Sequence, residues 1–334
     1  GSRRVHSIES RSVSRSRWRK SARGCGQVSP RVNSESRCRN NGPNNRAVEG
    51  REIQRLTRDA VGSAVAMSAD DQRFEDGDLQ TVDDDLRIAD DVTVEEPLEI
   101  RIDEVAIAVL MRTPGDDLAL AAGFLLTEGI IPAPDDLGTL GYCPDAEPPH
   151  DLNVIDAHLT CDFDRESLQR NFYATSSCGV CGKASIEQLR THADPLVTSM
   201  HLPASVLWTL PDALRQGQIQ FARTGSVHAA GLFDGAGDLL HLCEDVGRHN
   251  AVDKLVGRYV LEGRRTPQPS VLMVSGRVSF EIVQKAWIAG ICMIAAVSGP
   301  SSLAIDLAAE AGITLVGFLR ETSANLYTHP QRIG

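Results

Sequence analysis

Two cysteines near the middle of the sequence stand in a setting that favours sulfur chemistry. Residues 176–183 read SSCGVCGK, so Cys178 and Cys181 form a C-x-x-C pair before a predicted short helix at 185–192. A helix N-terminus presents free N–H groups and a partial positive charge, and Lys183 adds a cation, so a thiolate is stabilised here. Because the thiolate is the nucleophilic form of cysteine, this loop is suited to nucleophilic sulfur chemistry.

Several kinds of site fit a C-x-x-C pair, and the residues alone leave the choice open. The pair could be half of a structural zinc site, but the rest of the chain has no second pair at convincing spacing. A thioredoxin-like dithiol would need a thioredoxin-type βαβ setting, which is missing around Cys178. A persulfide carrier would need one thiolate to accept a sulfur atom and pass it on. The remaining interpretation is an ordinary loop whose two thiols have no chemical role.

A second group of residues follows a predicted strand and opens a predicted helix. Residues 244–254 read EDVGRHNAVDK and contain six ionisable side chains. Two further strand-to-helix turns, residues 275–279 (SGRVS) and 298–302 (SGPSS), have small residues before a helix N-terminus, as anion sites do. Ligands of open α/β sheets bind at the carboxyl ends of strands, so we expect these loops along one edge. A solvated helix cap with surface charges is the alternative.

The last predicted strand ends in residues that could bind a nucleotide. Residues 317–320 read GFLR, in which Phe318 could stack on a base and Arg320 could pair with a phosphate. An ordinary last strand with a surface arginine fits the same residues.

His228 begins a predicted strand and raises the possibility of zinc deaminase chemistry. Such enzymes use His-x-Glu, followed downstream by Pro-Cys-x-x-Cys. In this chain Ala230 takes the place of the glutamate, and the cysteine pair precedes the histidine and lacks the proline. Deamination would lose its general acid–base group, so we interpret His228 as a structural histidine.

The composition predicts a soluble globular protein. Of 334 residues, 42% are hydrophobic and 24% are charged, enough for one large domain or two modest ones. The formal net charge of −11 argues against a general nucleic-acid binder. No apolar run reaches the roughly 18 residues of a membrane span. The most apolar stretch, 282–297, contains Gln284 and Lys285, and we predict that it is buried soluble core.

Charge and pattern divide the chain into three parts. Residues 1–66 contain 15 Lys and Arg against five acids and have no apolar periodicity, so they cannot bury enough surface to offset their ordering entropy. We expect a disordered extension over residues 1–75, a small α+β unit over 76–170, and an α/β core over 171–334 that includes the C-x-x-C loop.

The apolar pattern predicts the elements of both folded parts. In the α+β unit we predict strands at 98–102, 105–111 and 152–159 and a helix at 116–128. In the core we predict strands at 227–233, 239–243, 271–274, 291–297 and 313–319, the last being the final strand of the chain. The predicted core helices are 203–223, interrupted at Pro211, then 250–261, 280–289 and 303–311. Continuously apolar strands separated by helices predict a parallel sheet covered on both faces.

Three segments together resemble the FdhD family: residues 177–182 (SCGVCG), 244–254 (EDVGRHNAVDK) and 274–277 (VSGR). The eleven-residue block is the most specific, and the likeness runs from about residue 80 to the C-terminus. The resemblance implies a cytidine-deaminase-like three-layer α/β/α core with a smaller N-terminal α+β unit, in a cytoplasmic homodimer.

The resemblance also implies a function as a sulfur carrier, or sulfurtransferase. A cysteine desulfurase would pass sulfur to Cys178, with Cys181 as its partner. The persulfide would then sulfurate a molybdenum (or tungsten) bis-pterin guanine dinucleotide cofactor that goes to formate dehydrogenase. This cofactor is cargo, and we predict no resident cofactor and no metal ligands. The guanine-nucleotide contacts of the family match Phe318, Leu319, Arg320, Glu321, Thr322 and Ser323, to which the neighbouring loops would add Arg248, His249 and Arg277.

One alternative to sulfur transfer stays open. A chaperone could bind the same cofactor while its C-x-x-C pair is structural or binds zinc.

Overall fold

The computed structural model describes residues 6–7, 74–80, 87–146, 152–162 and 193–334. Contacts group residues 1–8, 61–78 and 89–334 into one unit and residues 9–60 and 79–88 into a second. Of the second unit only the strand ends at 79–80 and 87–88 are described, and the features below belong to the first. The predicted extension lies outside the described residues, apart from strand β1 (His6–Ser7) and the start of strand β2 (Phe74–Gln80).

A four-stranded sheet and one helix form the N-terminal part of the larger unit. After β3 (Arg87–Thr93), which pairs with β2, come β4 (Glu96–Ile102), β5 (Val105–Arg112), helix α1 (Asp117–Thr127), β6 (Leu137–Tyr142) and β7 (Val154–Leu159). The order in the sheet is β5-β4-β7-β6. Along β4, Leu98, Ile100 and Ile102 are fully buried, and this alternation confirms the predicted strand. The pattern does not predict β6, because its sequence LGTLGY has no regular apolar alternation.

A seven-stranded sheet, which we call the core sheet, forms the rest of the unit. Its strands follow the order β1-β13-β12-β11-β10-β8-β9. Those after β7 are β8 (His228–Phe233), β9 (Leu239–Asp245), β10 (Val271–Val274), β11 (Met293–Ala296), β12 (Thr314–Gly317) and β13 (Asn325–Thr328). The described helices are α2 (Ala204–Leu207), α3 (Leu210–Gly217), α4 (Ile219–Thr224), α5 (Arg248–Leu261), α6 (Phe280–Ile288) and α7 (Ser302–Glu310). The helix predicted at 185–192 lies outside the described residues.

Helices cover both faces of the core sheet. Leu272 and Val274 pack on one face with apolar residues of α5, α6 and α7, and Val271 and Met273 pack on the other face with residues of α2 and α3. Strand β10 is therefore buried on both faces, which explains its continuous apolar sequence VLMV. The predicted α/β class, with helices on both sides of a core sheet, is confirmed.

The core sheet is mixed, so the prediction of a parallel sheet is wrong in part. Strands β10, β11 and β12 are parallel, but β8 is antiparallel to both β9 and β10, and β13 is antiparallel to β12. The connections at 234–238 and 318–324 are too short for the crossover that a parallel pair requires. Strand β13 also shows that the strand predicted at 313–319 is not the last.

The helical stretch predicted over 203–223 consists of the three short helices α2, α3 and α4. Pro211 does not interrupt it, because this residue lies in the first turn of α3, where the N–H that proline lacks has no helical partner. The breaks fall at 208–209 and at Gln218, whose ψ of 82° is outside the helical region.

Helices α1 and α5 approach so closely that glycine is required where they cross. A Cβ atom on Gly123 would lie 1.9 Å from the Asp253 carbonyl oxygen, and one on Gly257 would lie 1.8 Å from the Ala119 carbonyl oxygen. Both obstacles are backbone atoms, so no side-chain rotation could relieve the clash. This crossing packs the four-stranded part of the unit against the helix that begins with Arg248.

Gly257→Ala should therefore destabilise the protein. The added methyl group forces the two helices apart, and overpacking of this kind costs about 1–3 kcal/mol or more. Urea unfolding followed by circular dichroism measures the change in the free energy of unfolding. Gly141→Ala is the matched control, because a Cβ on Gly141 would meet no atom within 4 Å. Equal stability of the two variants would contradict the close crossing.

Lys285, in the most apolar stretch of the sequence, is buried in an ionic cluster between α1, α5 and α6. Its Nζ lies 2.9 Å from the Asp253 carboxylate, 2.8 Å from the Glu128 carboxylate and 3.0 Å from the Thr127 hydroxyl. Burial raises the pKa of Asp253 to about 6, and Lys285 opposes this shift. The stretch 282–297 is buried core, as predicted. Within the described ranges no helix is long and apolar enough to cross a membrane.

Candidate functional site

Loops from four strands of the core sheet meet at one edge, which we call the carboxyl edge. Strands β9, β10, β11 and β12 run in the same direction, since β9 and β10 are both antiparallel to β8. Their C-terminal ends lead into residues 246–249, 275–279, 297–301 and 318–323. His228 lies at the same edge, because it is the first residue of β8 and pairs with Asp245 at the end of β9. The predicted alignment of the strand-to-helix turns is confirmed.

Backbone hydrogen bonds join two of these loops. The Val278 N–H donates to the Gly299 carbonyl oxygen (3.3 Å), and the Ser301 N–H donates to the Val278 carbonyl oxygen (3.0 Å). Ser301 also caps α7, since its Oγ accepts a hydrogen bond from the Ala304 N–H (3.2 Å). The loops after β10 and β11 are therefore held together at the carboxyl edge.

Phe318 presents an aromatic ring at this edge. The residue is 47% exposed, and its φ of 51° lies in the left-handed region, which is rare for a bulky side chain. Its ring lies on Gly299, where a Cβ atom would come within 2.5 Å of the ring. The next residue, Leu319, is fully buried, so the segment is fixed while the ring of Phe318 faces solvent.

Arg320 and the three residues after it form an exposed turn beside Phe318. The Arg320 N–H donates to the Ser323 carbonyl oxygen (2.8 Å), which closes the turn. The guanidinium donates through Nη1 to the Val297 and Leu319 carbonyl oxygens. Because arginine has five N–H donors, others stay available for a ligand. Glu321, Thr322 and Ser323 are exposed in the same turn.

Most ionisable residues of the block 244–254 have structural partners within the fold. The Glu244 carboxylate accepts hydrogen bonds from the Gln220 N–H (2.8 Å) and the Phe221 N–H (2.9 Å) at the start of α4. Asp253 belongs to the cluster around Lys285. Only Arg248 and His249 remain at the carboxyl edge.

Asp245 and Lys254 form a buried ion pair at the centre of the block. The Lys254 Nζ lies 2.7 Å from the Asp245 carboxylate, and these side chains are 2% and 0% exposed. The same carboxylate accepts hydrogen bonds from the Thr113 N–H (3.1 Å) and the Gly247 N–H (2.8 Å). Lys254 also donates to the Thr113 carbonyl oxygen (2.7 Å). The pair thus fixes the turn after β5 to the loop that precedes Arg248.

His249 faces the start of α6. Its Nε2 lies 3.2 Å from the Ser279 hydroxyl and 3.8 Å from the Glu281 carboxylate. Burial lowers the pKa of His249 to about 3, helped by Lys285 and Arg248, so the imidazole is neutral at physiological pH. His249 would therefore interact with a ligand at the carboxyl edge as a neutral group.

Arg248, Arg277 and His228 lie close together at the edge. Arg277 is exposed, whereas the Nε of Arg248 is buried and has no hydrogen-bond partner among the described residues. The His228 side chain is half-buried beside Gly276. Burial lowers the pKa of His228, and the nearby charges of Arg248 and Arg277 lower it further. The edge is thus locally cationic in an acidic chain.

The predicted sulfur residues Cys178 and Cys181 lie within 163–192, outside the described residues. In the part of the chain that the structure does describe, no group of three or more His, Cys, Asp or Glu side chains could hold a metal ion. Among the described residues, no group of metal ligands near His228 supports the deaminase interpretation.

The interpretation of His228 as a structural histidine did not place this residue at the carboxyl edge. The signal was present in residues 234–237 (DGAG), a turn between two apolar runs, which predicts a hairpin. Antiparallel pairing then places the beginning of β8 opposite the end of β9, beside the block that contains Arg248.

Comparisons with known proteins agree on one family. Residues 93–334 match the profile of the FdhD/NarQ family. The chain is 49% identical over 268 residues to the sulfur carrier protein FdhD of Streptomyces avermitilis, covering 78% of this chain and 93% of that protein. It is 51% identical over 250 residues to the protein of that name from Mycolicibacterium paratuberculosis, covering 73% and 92%.

One solved structure extends the likeness to the fold. A chain described as a candidate formate dehydrogenase accessory protein from Desulfotalea psychrophila superposes with a TM-score of 0.60 at 25% identity. The match covers 78% of this chain and 98% of that one.

Proposed function

This chain belongs to the FdhD/NarQ family, and we propose that it is a sulfur carrier for the maturation of formate dehydrogenase. The names of the curated relatives support this role. The structural observation that supports it most is the carboxyl edge, where an exposed aromatic ring and cationic side chains from separate loops lie together. Such an edge suits a guest that has bases and phosphates.

The sulfur step uses Cys178 as the nucleophile. Its thiolate attacks the terminal sulfur of a persulfide on a cysteine desulfurase. A sulfur–sulfur bond forms on Cys178 as the one on the desulfurase breaks, and the desulfurase cysteine leaves as a thiolate. Oxidation state and charge balance, so no other reactant is needed. Cys181 is the neighbouring thiol in the same loop.

The recipient of this sulfur is a molybdenum or tungsten bis-pterin guanine dinucleotide, handled as cargo. Phe318 would stack on a guanine, and Arg320 would pair with a phosphate. Arg248 and Arg277 add positive charge at the same edge. A homodimer would present two such edges, one for each guanine. Formate dehydrogenase then receives the sulfurated cofactor.

Loading with sulfur tests the proposal directly. Incubation with a cysteine desulfurase and cysteine should add one reducible sulfur atom to the peptide that contains Cys178 and Cys181. Mass spectrometry before and after treatment with a reductant detects it. Stoichiometric zinc by metal analysis, with no added sulfur, would contradict the proposal and favour a cofactor-binding chaperone.

A further inference from the structure

Gly276 lies beside two residues from other elements at the carboxyl edge, His228 at the start of β8 and Arg248 at the start of α5. The position that a Cβ atom on Gly276 would occupy lies 3.3 Å from Nδ1 of His228 and 3.8 Å from Cβ of Arg248. Arg277 is the next residue. A larger residue at position 276 would therefore crowd the His228 imidazole, whereas glycine allows the imidazole to lie against the loop.

Arg248 differs from the buried cations elsewhere in the fold. Arg112, Lys254 and Lys285 each have a carboxylate oxygen within 3.0 Å. No ion pair with a carboxylate is found for Arg248 or Arg277 within residues 193–334, and Nε of Arg248 is buried with no hydrogen-bond partner there. A buried donor of this kind is costly unless a ligand satisfies it.

We propose that His228, Arg248 and Arg277 form a phosphate pocket in which His228 takes up a proton as the phosphate binds, so that pH regulates nucleotide binding at the carboxyl edge. The inference rests on the proposed function, since the phosphate belongs to a guanine nucleotide. It assigns to His228 a binding role in place of a purely structural one.

The position of the pocket relative to Phe318 suits one nucleotide. Strands β10, β11 and β12 are neighbours, so the loops after β10 and β12 are separated by two strand spacings, about 10 Å. A ribose and the first phosphate bridge a gap of this order. A purine stacked on Phe318 could therefore place its diphosphate beside Arg277.

The charges around His228 determine the sign of the pH effect. Burial, Arg248 and Arg277 lower its pKa, while Asp245 raises it, and the neighbouring His249 is neutral. The free imidazole is therefore neutral at physiological pH. A phosphate dianion beside it favours the imidazolium and raises its pKa. Affinity should then increase as pH falls from the pKa of the bound form to that of the free form, by at most about tenfold per pH unit.

Calorimetric titration with GDP tests this inference. At about pH 8 the wild type and His228→Gln should bind with similar affinity, and at about pH 6 the wild type should bind up to about tenfold more tightly than the variant. Titration in two buffers of different ionisation enthalpy should show proton uptake by the wild type in excess of that by the variant. The phosphate of GDP also titrates near pH 6, and the comparison with His228→Gln removes its contribution.

Three further variants complete the design. Arg277→Gln should weaken binding at both pH values and keep the excess proton uptake. Arg264→Gln, an exposed arginine beyond the far end of α5, should bind like the wild type. Phe318→Leu should weaken binding by about 5-fold to 150-fold, as expected when one stacked base loses its aromatic partner.

The outcomes separate this inference from the proposed function. Equal pH profiles and equal proton uptake for the wild type and His228→Gln would overturn the inference and leave nucleotide binding intact. Failure of the wild type to bind GDP would overturn both the pocket and the nucleotide part of the proposed function. Sulfur loading on Cys178 is measured without nucleotide and is independent of either result.

Discussion

Cys178→Ala should abolish the maturation of formate dehydrogenase while the protein stays folded. The substitution removes the thiol that accepts the sulfur in the proposed step, and alanine has no nucleophilic atom to replace it. We expect formate oxidation to fall to the background of a strain that lacks the protein. The measurement is formate-dependent dye reduction in that strain, complemented with the wild type or the variant. Circular dichroism and thermal unfolding check that the variant is folded.

Cys143→Ala is the matched control for this loss. Cys143 is a half-buried free thiol after β6, and its sulfur lies 3.9 Å from the Arg101 guanidinium, in the four-stranded part of the fold. We expect this variant to mature formate dehydrogenase as the wild type does. Cys181→Ala tests the partner thiol in the same assay.

The outcome of the Cys178 experiment decides between the two functions that the sequence leaves open. Normal formate oxidation with Cys178→Ala would refute sulfur transfer and leave a chaperone that only binds the cofactor. A zinc site would give another pattern, because Cys178→Ala and Cys181→Ala would then lose metal and stability together. If the protein is a sulfur carrier, Cys178→Ala should fail to hold sulfur while the protein stays folded.

Local sequence pattern predicts the elements of the fold better than their pairing. Strand β4 is predicted because alternating apolar residues indicate burial on one face. Strand β10 is predicted because a continuous apolar run indicates burial on both faces. The direction of β8 and β13 depends on the length of their connections, which the apolar pattern does not contain. The carboxyl edge is nevertheless predicted correctly, because β9, β10, β11 and β12 all end there.

The roles of the charged residues in the block 244–254 could not be predicted from the block itself. The sequence shows six ionisable side chains in eleven residues, but apart from the pair Asp245–Lys254 the partners that fix them lie far away along the chain. Asp245 binds Thr113, and Asp253 binds Thr127 and Lys285. Local sequence pattern does not show these long-range contacts, through which Asp245 and Asp253 support the helix that begins with Arg248.

Asp245→Ala should cause the largest loss of stability among single substitutions near the carboxyl edge. The change leaves the Lys254 ammonium buried at 2% exposure without its carboxylate, and breaking a buried ion pair in this way costs about 3–5 kcal/mol. It also leaves the N–H groups of Thr113 and Gly247 without their acceptor. Chemical unfolding measures the loss. Glu262→Ala, which breaks the exposed pair with Arg264, is the control and should cost less than about 1 kcal/mol.

A conservative variant separates the stability of Asp245 from its effect on the edge. Asp245→Asn keeps an oxygen acceptor for the Gly247 N–H and loses the charge, so we expect a smaller loss than with alanine. If the ion pair positions the start of α5, both variants should bind GDP more weakly than the wild type at temperatures where they remain folded. Wild-type stability of Asp245→Ala would contradict the buried pair. Wild-type GDP affinity in a destabilised but folded variant would show that the pair supports the fold without positioning Arg248.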